Sequence, residues 1–318
     1  MTGPDLIMVL AWCGAIFGPL ICFIAIRRLF VSRRFRVGWG LATFSLLFWA
    51  LGVWAFLVEP ATLTVRHVTV ESAEWTGAPL RIGIISDTHV AAPHTDPARV
   101  ERLVRRMNGE RPDVVLLLGD YVGGHLPERQ RPPAERREIL AGIEAFEALD
   151  SPLGTWAVLG NHDSWFDDAT VAAALETAGI PVMDNRARRI DRDTGAFWIA
   201  GLADMHATDQ PPRVGATLRQ VTDEAPVVLM THWPDPFAEV PDRVALTLAG
   251  HTHCGQVVLP VVGRLVHASR LSERWPCGLY DEGGRKLFVT GGVGVSILPV
   301  RFRAPPEIVI LTLRAPAG

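Results

Sequence analysis

Leu80-Arg81-Ile82-Gly83-Ile84-Ile85-Ser86-Asp87-Thr88-His89 sets a pattern that the rest of the chain repeats. A short, β-branched apolar run reads as a buried strand, and this one stops at a carboxylate and an imidazole two positions apart. In open α/β sheets the site forms beyond the carboxyl ends of the strands, so Asp87 and His89 would be aimed into it. An isolated Asp-x-His is a weak signal, since a polar loop cap accounts for it equally well. The recurrence decides. Residues 114–118 run into Gly119-Asp120, residues 156–159 into Gly160-Asn161-His162-Asp163, residues 227–230 into Thr231-His232, and residues 244–249 into Gly250-His251-Thr252-His253. Five apolar runs each end in metal-ligating chemistry.

Outward from these runs, strands and helices alternate. Residues 97–108 place Val100, Leu103, Val104 and Met107 at helical spacing with arginines opposite, and residues 133–149 form a second amphipathic helix. Residues 168–178 form a third, with Asp167 or Asp168 as N-cap. The polar, Pro-rich segment 123–133 reads as a surface loop near the site. Residues 59–76 form a linker feeding an edge strand at 63–70. Strands at 196–201, 227–231, 244–249, 256–259, 286–290 and 307–313 dominate the second half. Helices early and strands late suggest an α/β protein of two sheets packed face to face, with helices outside.

The first sixty residues do a separate job. Residues 6–26 and 38–58 are almost unbroken apolar runs, each near the ~20 residues a helix needs to cross a bilayer. Between them, Arg27-Arg28-Leu29-Phe30-Val31-Ser32-Arg33-Arg34-Phe35-Arg36 carries five arginines in ten residues. A short loop this basic stays on the cytoplasmic side. The expectation is a transmembrane hairpin over residues 1–60, with the N-terminus and a domain at 61–318 both outside the cytoplasm. Trp39, Trp49 and Trp54 suit interfacial or lipid-facing positions. A helical pair buried in a globular core is disfavoured by the lack of an amphipathic stripe. Arg27-Arg28-Leu29-Phe30-Val31 loosely resembles a twin-arginine export signal, but the apolar run ahead of it argues against that use.

At 318 residues the chain accommodates one domain of about 250 residues plus something extra. A net charge of −3 and a pI near 6.4 give no case for a nucleic-acid partner. The mean hydropathy of +0.21 reflects the N-terminal excess. Four cysteines imply no disulfide framework, although a bond between Cys254 and Cys277 is conceivable.

Asp, Asn and His ligands suit divalent Mn, Fe or Zn, and a shared carboxylate can hold two ions about 4 Å apart. Two such ions activate a bridging hydroxide and stabilise a five-coordinate phosphoryl transition state. Nucleophilic chemistry fares worse: Ser86, Ser164 and Cys254 sit among ligand-like neighbours, and no Gly-x-Ser-x-Gly elbow is present.

The ordered set Asp87-x-His89, Gly119-Asp120, Gly160-Asn161-His162-Asp163, His232 and Gly250-His251-Thr252-His253 resembles the calcineurin-like metallophosphoesterase superfamily, over about residues 82–313. The N-terminal apolar segments and the glycine-rich ending at 291–310 are similar to its membrane-associated or exported bacterial phosphodiesterase branch. The resemblance implies a four-layer α/β/β/α sandwich and a dinuclear site. It implies that Asp87, His89 and His253 hold one metal, that Asn161, His232 and His251 hold the other, and that Asp120 bridges. His162 would protonate the leaving alkoxide or steady the phosphoryl oxygens, with Asp163 orienting His162.

Two positions depart from that pattern. Gly123 stands where the family usually has an acidic residue three positions after Gly-Asp, and Cys254 stands where it usually has glycine. Cys254 is expected to be a tolerated small residue rather than a soft ligand or a redox-sensitive group. His94, His125 and His267 are minor candidates for lining the cleft, and Asp204-Met205-His206 reads either as a polar turn or as an approach to the metals. Arg301 and Arg303 are candidates to clamp a phosphate. Trp165 and Phe166 could wall a lipid tail or simply pack a helix start.

The expected activity is therefore hydrolysis of a phosphodiester or phosphomonoester, lipid-linked or envelope-derived, at the bacterial cytoplasmic membrane. The alternatives are a UDP-2,3-diacylglucosamine-type pyrophosphatase of lipid A synthesis and, below it, a non-enzymatic metal-binding scaffold. Scaffolds tend to lose ligands, and all seven are present here.

Overall fold

A computed structural model of the chain describes residues 3–31, 35–91, 93–207, 210–269 and 271–316. Helix α1 (Gly3–Val31) and helix α2 (Phe35–Val53) form the N-terminal pair, and Ser32, Arg33 and Arg34 of the basic loop lie outside the described residues. Helix α2 runs on through a π-helical turn (Trp54–Val58) and a 3₁₀ turn (Glu59–Ala61). The stretches Leu6–Leu29 and Gly38–Ala61 are long and apolar enough to cross a membrane, and their most apolar windows are 0% and 6% buried within the protein. They are not core helices: leucines, isoleucines and phenylalanines such as Leu10, Ile21, Phe44 and Phe48 face outward. The two helices pack on each other, and Trp49 Nε1 donates to Gly14 O at 3.1 Å.

The remaining elements in the first half are β1 (Thr64–Glu71), β2 (Leu80–Ile85), α3 (Pro97–Gly109), β3 (Val114–Leu117), α4 (Pro133–Glu144), β4 (Thr155–Ala157), α5 (Asn161–Phe166) and α6 (Asp168–Thr177). The second half holds β5 (Arg186–Ile190), β6 (Phe197–Gly201), α7 (Val214–Leu218), β7 (Val227–Met230), β8 (Val244–Ala249), β9 (Val258–Leu259), β10 (Gly263–Arg264), β11 (Gly278–Glu282), β12 (Arg285–Val289) and β13 (Glu307–Arg314). A five-stranded sheet runs β1-β13-β2-β3-β4, and a six-stranded sheet runs β11-β12-β8-β7-β6-β5.

Strand alternation divides the apolar residues between two faces. With Ile82 paired to Val114 and Ile84 to Leu116, these four join Phe197, Ile199, Val228, Met230, Leu246 and Leu248 in one core shared by both sheets. Burying side chains of this size stabilises the fold by about 1.5–3 kcal/mol each. Ile85, Val115 and Leu117 point the other way, against Val100, Leu103 and Met107 of α3, Ile139 and Ile143 of α4, and Val171 and Leu175 of α6. The second sheet's outer face is covered more thinly, by α7, Phe237 and Trp275.

The structure departs from expectation in places. Helix α4 ends at Glu144 and continues as a 3₁₀ turn, Ala145–Ala148, which keeps Phe146 buried. The strand expected at 256–259 is only two residues long, the arm of a small hairpin with β10. The Asp167 carboxylate caps α6, accepting from Thr170 N at 2.8 Å. Glu59 and Pro60, expected in a linker, are buried. Glu59 accepts from Trp54 Nε1 and from Ala304 N, joining the end of α2 to the turn before β13.

Candidate metal centre

The first three ligand-bearing ends belong to β2, β3 and β4 of one sheet, and the last two to β7 and β8 of the other. The carboxyl edges of the two sheets meet, and the sequence-distant side chains converge there. Asp87, His89 and His253 form one buried group able to hold a cation, and Asp120, His232 and His251 form another. His89, Asp120 and His162 form a third that overlaps both, and within each group the ligand atoms lie within 4.8 Å of one another. Asp120 Oδ2 lies 3.3 Å from His232 Nε2 and 3.6 Å from His89 Nε2, which puts this carboxylate between the two halves.

Asp87, His89, Asp120, His251 and His253 all have φ between +48° and +66°. Non-glycine residues seldom hold such values, which cost on the order of 1–3 kcal/mol each and persist only where the surroundings impose them. At two points the surroundings demand glycine. Gly119 has φ +90°, and a Cβ there would lie 2.6 Å from Gly160 N. A Cβ on Gly250 would strike Ser86 Oγ and approach Asp87 Oδ2 to 2.7 Å.

Backbone carbonyls fix the imidazoles. His89 Nδ1 bonds Val122 O at 3.2 Å, His232 Nδ1 bonds Leu118 O at 2.7 Å, and His162 Nδ1 bonds Gly124 O at 2.8 Å. A carbonyl only accepts, so each Nδ1 carries a proton and each Nε2 is turned toward the site. His89 Nε2 then faces His253 Nε2 at 3.0 Å, and His232 Nε2 faces His251 Nδ1 at 3.2 Å. Nitrogens this close need a shared proton or cation between them. Asn161 Oδ1 is buried with no hydrogen-bond partner, which a resident cation would supply. The donor set and its orphaned atom fit a pair of divalent ions.

Charge in the cluster is unevenly distributed. Burial pushes Asp87 up to about 6, with the nearby Asp120 charge adding to it. Burial acts on Asp120 too, but the imidazoles of His232, His162 and His89 outweigh it and hold that carboxyl well below its usual range. Burial likewise works against a charged His232, yet Asp120 and Asp87 carry it up to about 10. His89 and His251 are pushed down to about 3 by burial first and by neighbouring imidazoles second, which leaves them neutral and ready to ligate.

Several expectations change here. Asp163 does not touch His162. Its carboxylate accepts from the amides of Asp120, Tyr121, Val122 and Gly160 at 2.8–3.1 Å, which locks the turn that carries Asp120. Arg301 is no phosphate clamp, because its side chain is fully enclosed. It donates to the carbonyls of Gly291, Gly292, Gly294 and Ala304, and its Nη2 lies 3.2 Å from His253 Nδ1. Arg303 is exposed, as is His267. His94 lies outside the cleft, with Nε2 3.4 Å from Pro299 O, whereas His125 does line it, its ring 4.9 Å from that of His162. Cys254 is not a lone small residue: it is disulfide-bonded to Cys277.

Trp233 is a residue that motif reading overlooked. Its ring stacks on His251 at 3.6 Å between centroids, and its Nε1 donates to Asp204 Oδ2 at 2.7 Å. The only sequence signal was Asp204, a carboxylate just beyond β6. Trp165, 37% exposed, stands 4.8 Å from the His162 ring at the mouth of a cleft of about 400 Å³. Phe166 packs inward, with the Arg131 guanidinium 5.3 Å from its ring.

Comparison with known proteins agrees with this geometry. The family described as calcineurin-like phosphoesterase matches residues 80–255. The metallophosphoesterase YkuE of Bacillus subtilis is 29% identical over 233 residues, covering 72% of this chain and 77% of YkuE. Phosphodiesterase YaeI of Escherichia coli is 29% identical over 246 residues, covering 74% and 83%. A transmembrane protein with a metallophosphoesterase domain from Danio rerio is 27% identical over 276 residues, covering 80% of this chain and 58% of its own length. The chain belongs to the calcineurin-like phosphoesterase family, on the branch that holds YkuE and YaeI, and is a metal-dependent phosphoester hydrolase.

Proposed function

We propose that this protein is a membrane-anchored phosphodiesterase acting on a lipid-linked or envelope-derived phosphoester outside the cytoplasm. The observation that carries the reading is the convergence of Asp87, His89, Asp120, His232, His251 and His253 in overlapping buried groups, with Asp120 between the two halves and the unpartnered Asn161 Oδ1 lining the same cleft. Asp87, His89, His253 and Asp120 would hold one divalent ion, and Asp120, Asn161, His232 and His251 the other. When bound, such ions supply Lewis acidity toward phosphoryl oxygens and a water acidic enough to attack at neutral pH.

The chain's own residues do the rest. His162 is pinned through Nδ1 to Gly124, so its Nε2 stands at the cleft, 3.9 Å from Asp120 Oδ2. From there it can hand a proton to the leaving alkoxide or hold a phosphoryl oxygen. Asp163 keeps the Asp120 turn rigid, and Trp165 and His125 give the mouth an apolar wall that limits water.

Membrane anchoring is supported by two apolar helices left almost wholly unburied by the rest of the protein and by the similarity to a transmembrane protein of Danio rerio. The Cys254–Cys277 disulfide supports an oxidising, extracytoplasmic compartment. The similarity to phosphodiesterase YaeI supports diester chemistry. Purified full-length protein in detergent, loaded in turn with Mn, Zn or Fe, should hydrolyse bis-p-nitrophenyl phosphate faster than the monoester. Chelation or Asp120→Ala should abolish turnover, and unchanged hydrolysis after exhaustive chelation would overturn the metal mechanism.

A further inference from the structure

The cleft is polar only at its floor. Its outer wall is built by Val257 and Val266, which flank the β9–β10 hairpin, and by Ile297 and Leu298 in the turn after Gly294; the hairpin beyond them and that turn are apolar and uncovered. Val261 at the hairpin tip is fully exposed, Val262 is 68% exposed, and Leu265 and Val266 are each more than half exposed. Ile297 is 66% exposed, next to Leu298, in a turn that Gln256 at the base of the hairpin holds by bonds to Ser296 N and Leu298 O. Val261 and Ile297 have φ +69° and +62°. A β-branched side chain is the worst choice for that backbone region, where a water-facing turn would carry Gly or Asn. Three valines, a leucine and an isoleucine exposed at these turns lower neither solvation cost nor strain in water.

The end of the second apolar helix fixes where this rim sits. Arg301 N donates to Ala55 O at 2.9 Å, and Phe302 exchanges backbone hydrogen bonds with Gln256 and Val258 at the base of the β9–β10 hairpin. Ala55 comes six residues before Ala61, the end of the apolar stretch, about 9 Å back along a helix rising 1.5 Å per residue. The turn carrying Ile297 and Leu298, and the hairpin rooted beside Phe302, therefore lie level with the last turns of a membrane span. Exposed Arg303, beside them, suits the phosphate layer of a bilayer surface.

We propose that Val261, Val262, Leu265, Val266, Ile297 and Leu298 seat in the interfacial layer of the bilayer, so that the cleft opens onto lipid and takes a phosphoester whose acyl chains remain in the membrane. The proposal rests on the phosphoesterase reading for its substrate but not for the contact itself.

The test uses full-length protein in phosphatidylethanolamine–phosphatidylglycerol vesicles. Contact is read from an environment-sensitive fluorophore on Val261→Cys, in a Cys13→Ser/Cys22→Ser background. Blue-shifted emission that is quenched by nitroxide-labelled lipids supports the rim contact. Emission as in water overturns it, and so does a label shielded yet unquenched by those lipids, which would mark a protein partner. Entry is read by comparing Val261→Asp/Val262→Asp/Leu265→Asp with wild type on two diesters. The triple variant should keep soluble bis-p-nitrophenyl phosphate turnover within twofold and lose at least tenfold on a fluorescent diacyl phosphodiester embedded in the vesicles. Equal loss on both, or loss on neither, overturns lateral entry. If the wild type cleaves no phosphoester at all, the activity reading fails while the fluorophore still reports on the contact.

Discussion

The two halves of the metal centre are braced in different ways. In the half built on Asp87, His89 and His253, every ligand residue has left-handed backbone, and His253 is backed by the buried Arg301. Arg301 in turn is bound through its amide to Ala55 of the N-terminal helices. In the other half, Asn161 and His232 leave their strands without a left-handed residue, and His251 is held by the flat face of Trp233. The first half is backed by a buried cation connected to the helical pair; the second, whose His251 is left-handed too at φ +66°, is backed by stacking connected to the domain's own Asp204. Both share Asp120. Disturbing one brace should weaken one ion first.

The largest effect should come from Arg301→Met, which removes donors to four carbonyls and leaves those acceptors buried. We expect loss of one of the two bound ions by elemental analysis, a Tm lower by several degrees, and at least a hundredfold drop in turnover, with Arg301→Lys little better. If both ions are retained at full occupancy, the two halves are not independently braced. Next, Trp233→Leu should lower metal affinity or activity by about 10–100-fold, the usual cost of losing a partner that orients a ligand. Isothermal titration should find the weakened ion to be a different one from that lost with Arg301→Met.

Cys254→Ser/Cys277→Ser should cost about 3 kcal/mol, the value expected for opening a loop of 23 residues, and reducing agent should destabilise wild type but not the variant. A Tm indifferent to reduction would remove the disulfide from the account. The smallest effect concerns Asp184, pushed up to about 7 by burial, then by Asp168 and Asp204. An acid with a raised folded pKa favours the fold while protonated, so its contribution is present below about 3.8 and is lost as pH rises through about 7. Asp184→Asn should flatten that decline in thermal melts taken between pH 4 and 8, and an unchanged slope would refute the assignment.

Much of this was legible in the sequence because strands buried on both faces are continuous apolar runs, and five of the runs here stop at a candidate ligand. The ordered blocks from Asp87 to His253 therefore gave both sheet edges and the convergence point. Helix α3 was visible from Val100, Leu103, Val104 and Met107 alone. What escaped notice has physical causes. Strand β5 is an edge strand with three arginines in five residues, so no apolar alternation marks it. Arg301 read as a candidate phosphate clamp because its true partners are main-chain carbonyls, which leave no trace in residue identity. Asp163 follows His162 directly, but its role depends on four amides of which three lie some forty residues away. The Cys254–Cys277 bond was conceivable from the sequence, but which turn brings the two together is not specified by their spacing.

The contact between Ala55 and Arg301 has a practical consequence. If the helical pair anchors the protein as proposed, a protease that severed the chain ahead of Glu59 would leave a domain with its catalytic motifs intact in sequence, yet without the carbonyl that holds Arg301's backbone behind His253. Loss of the anchor would then lower activity as well as change the domain's address.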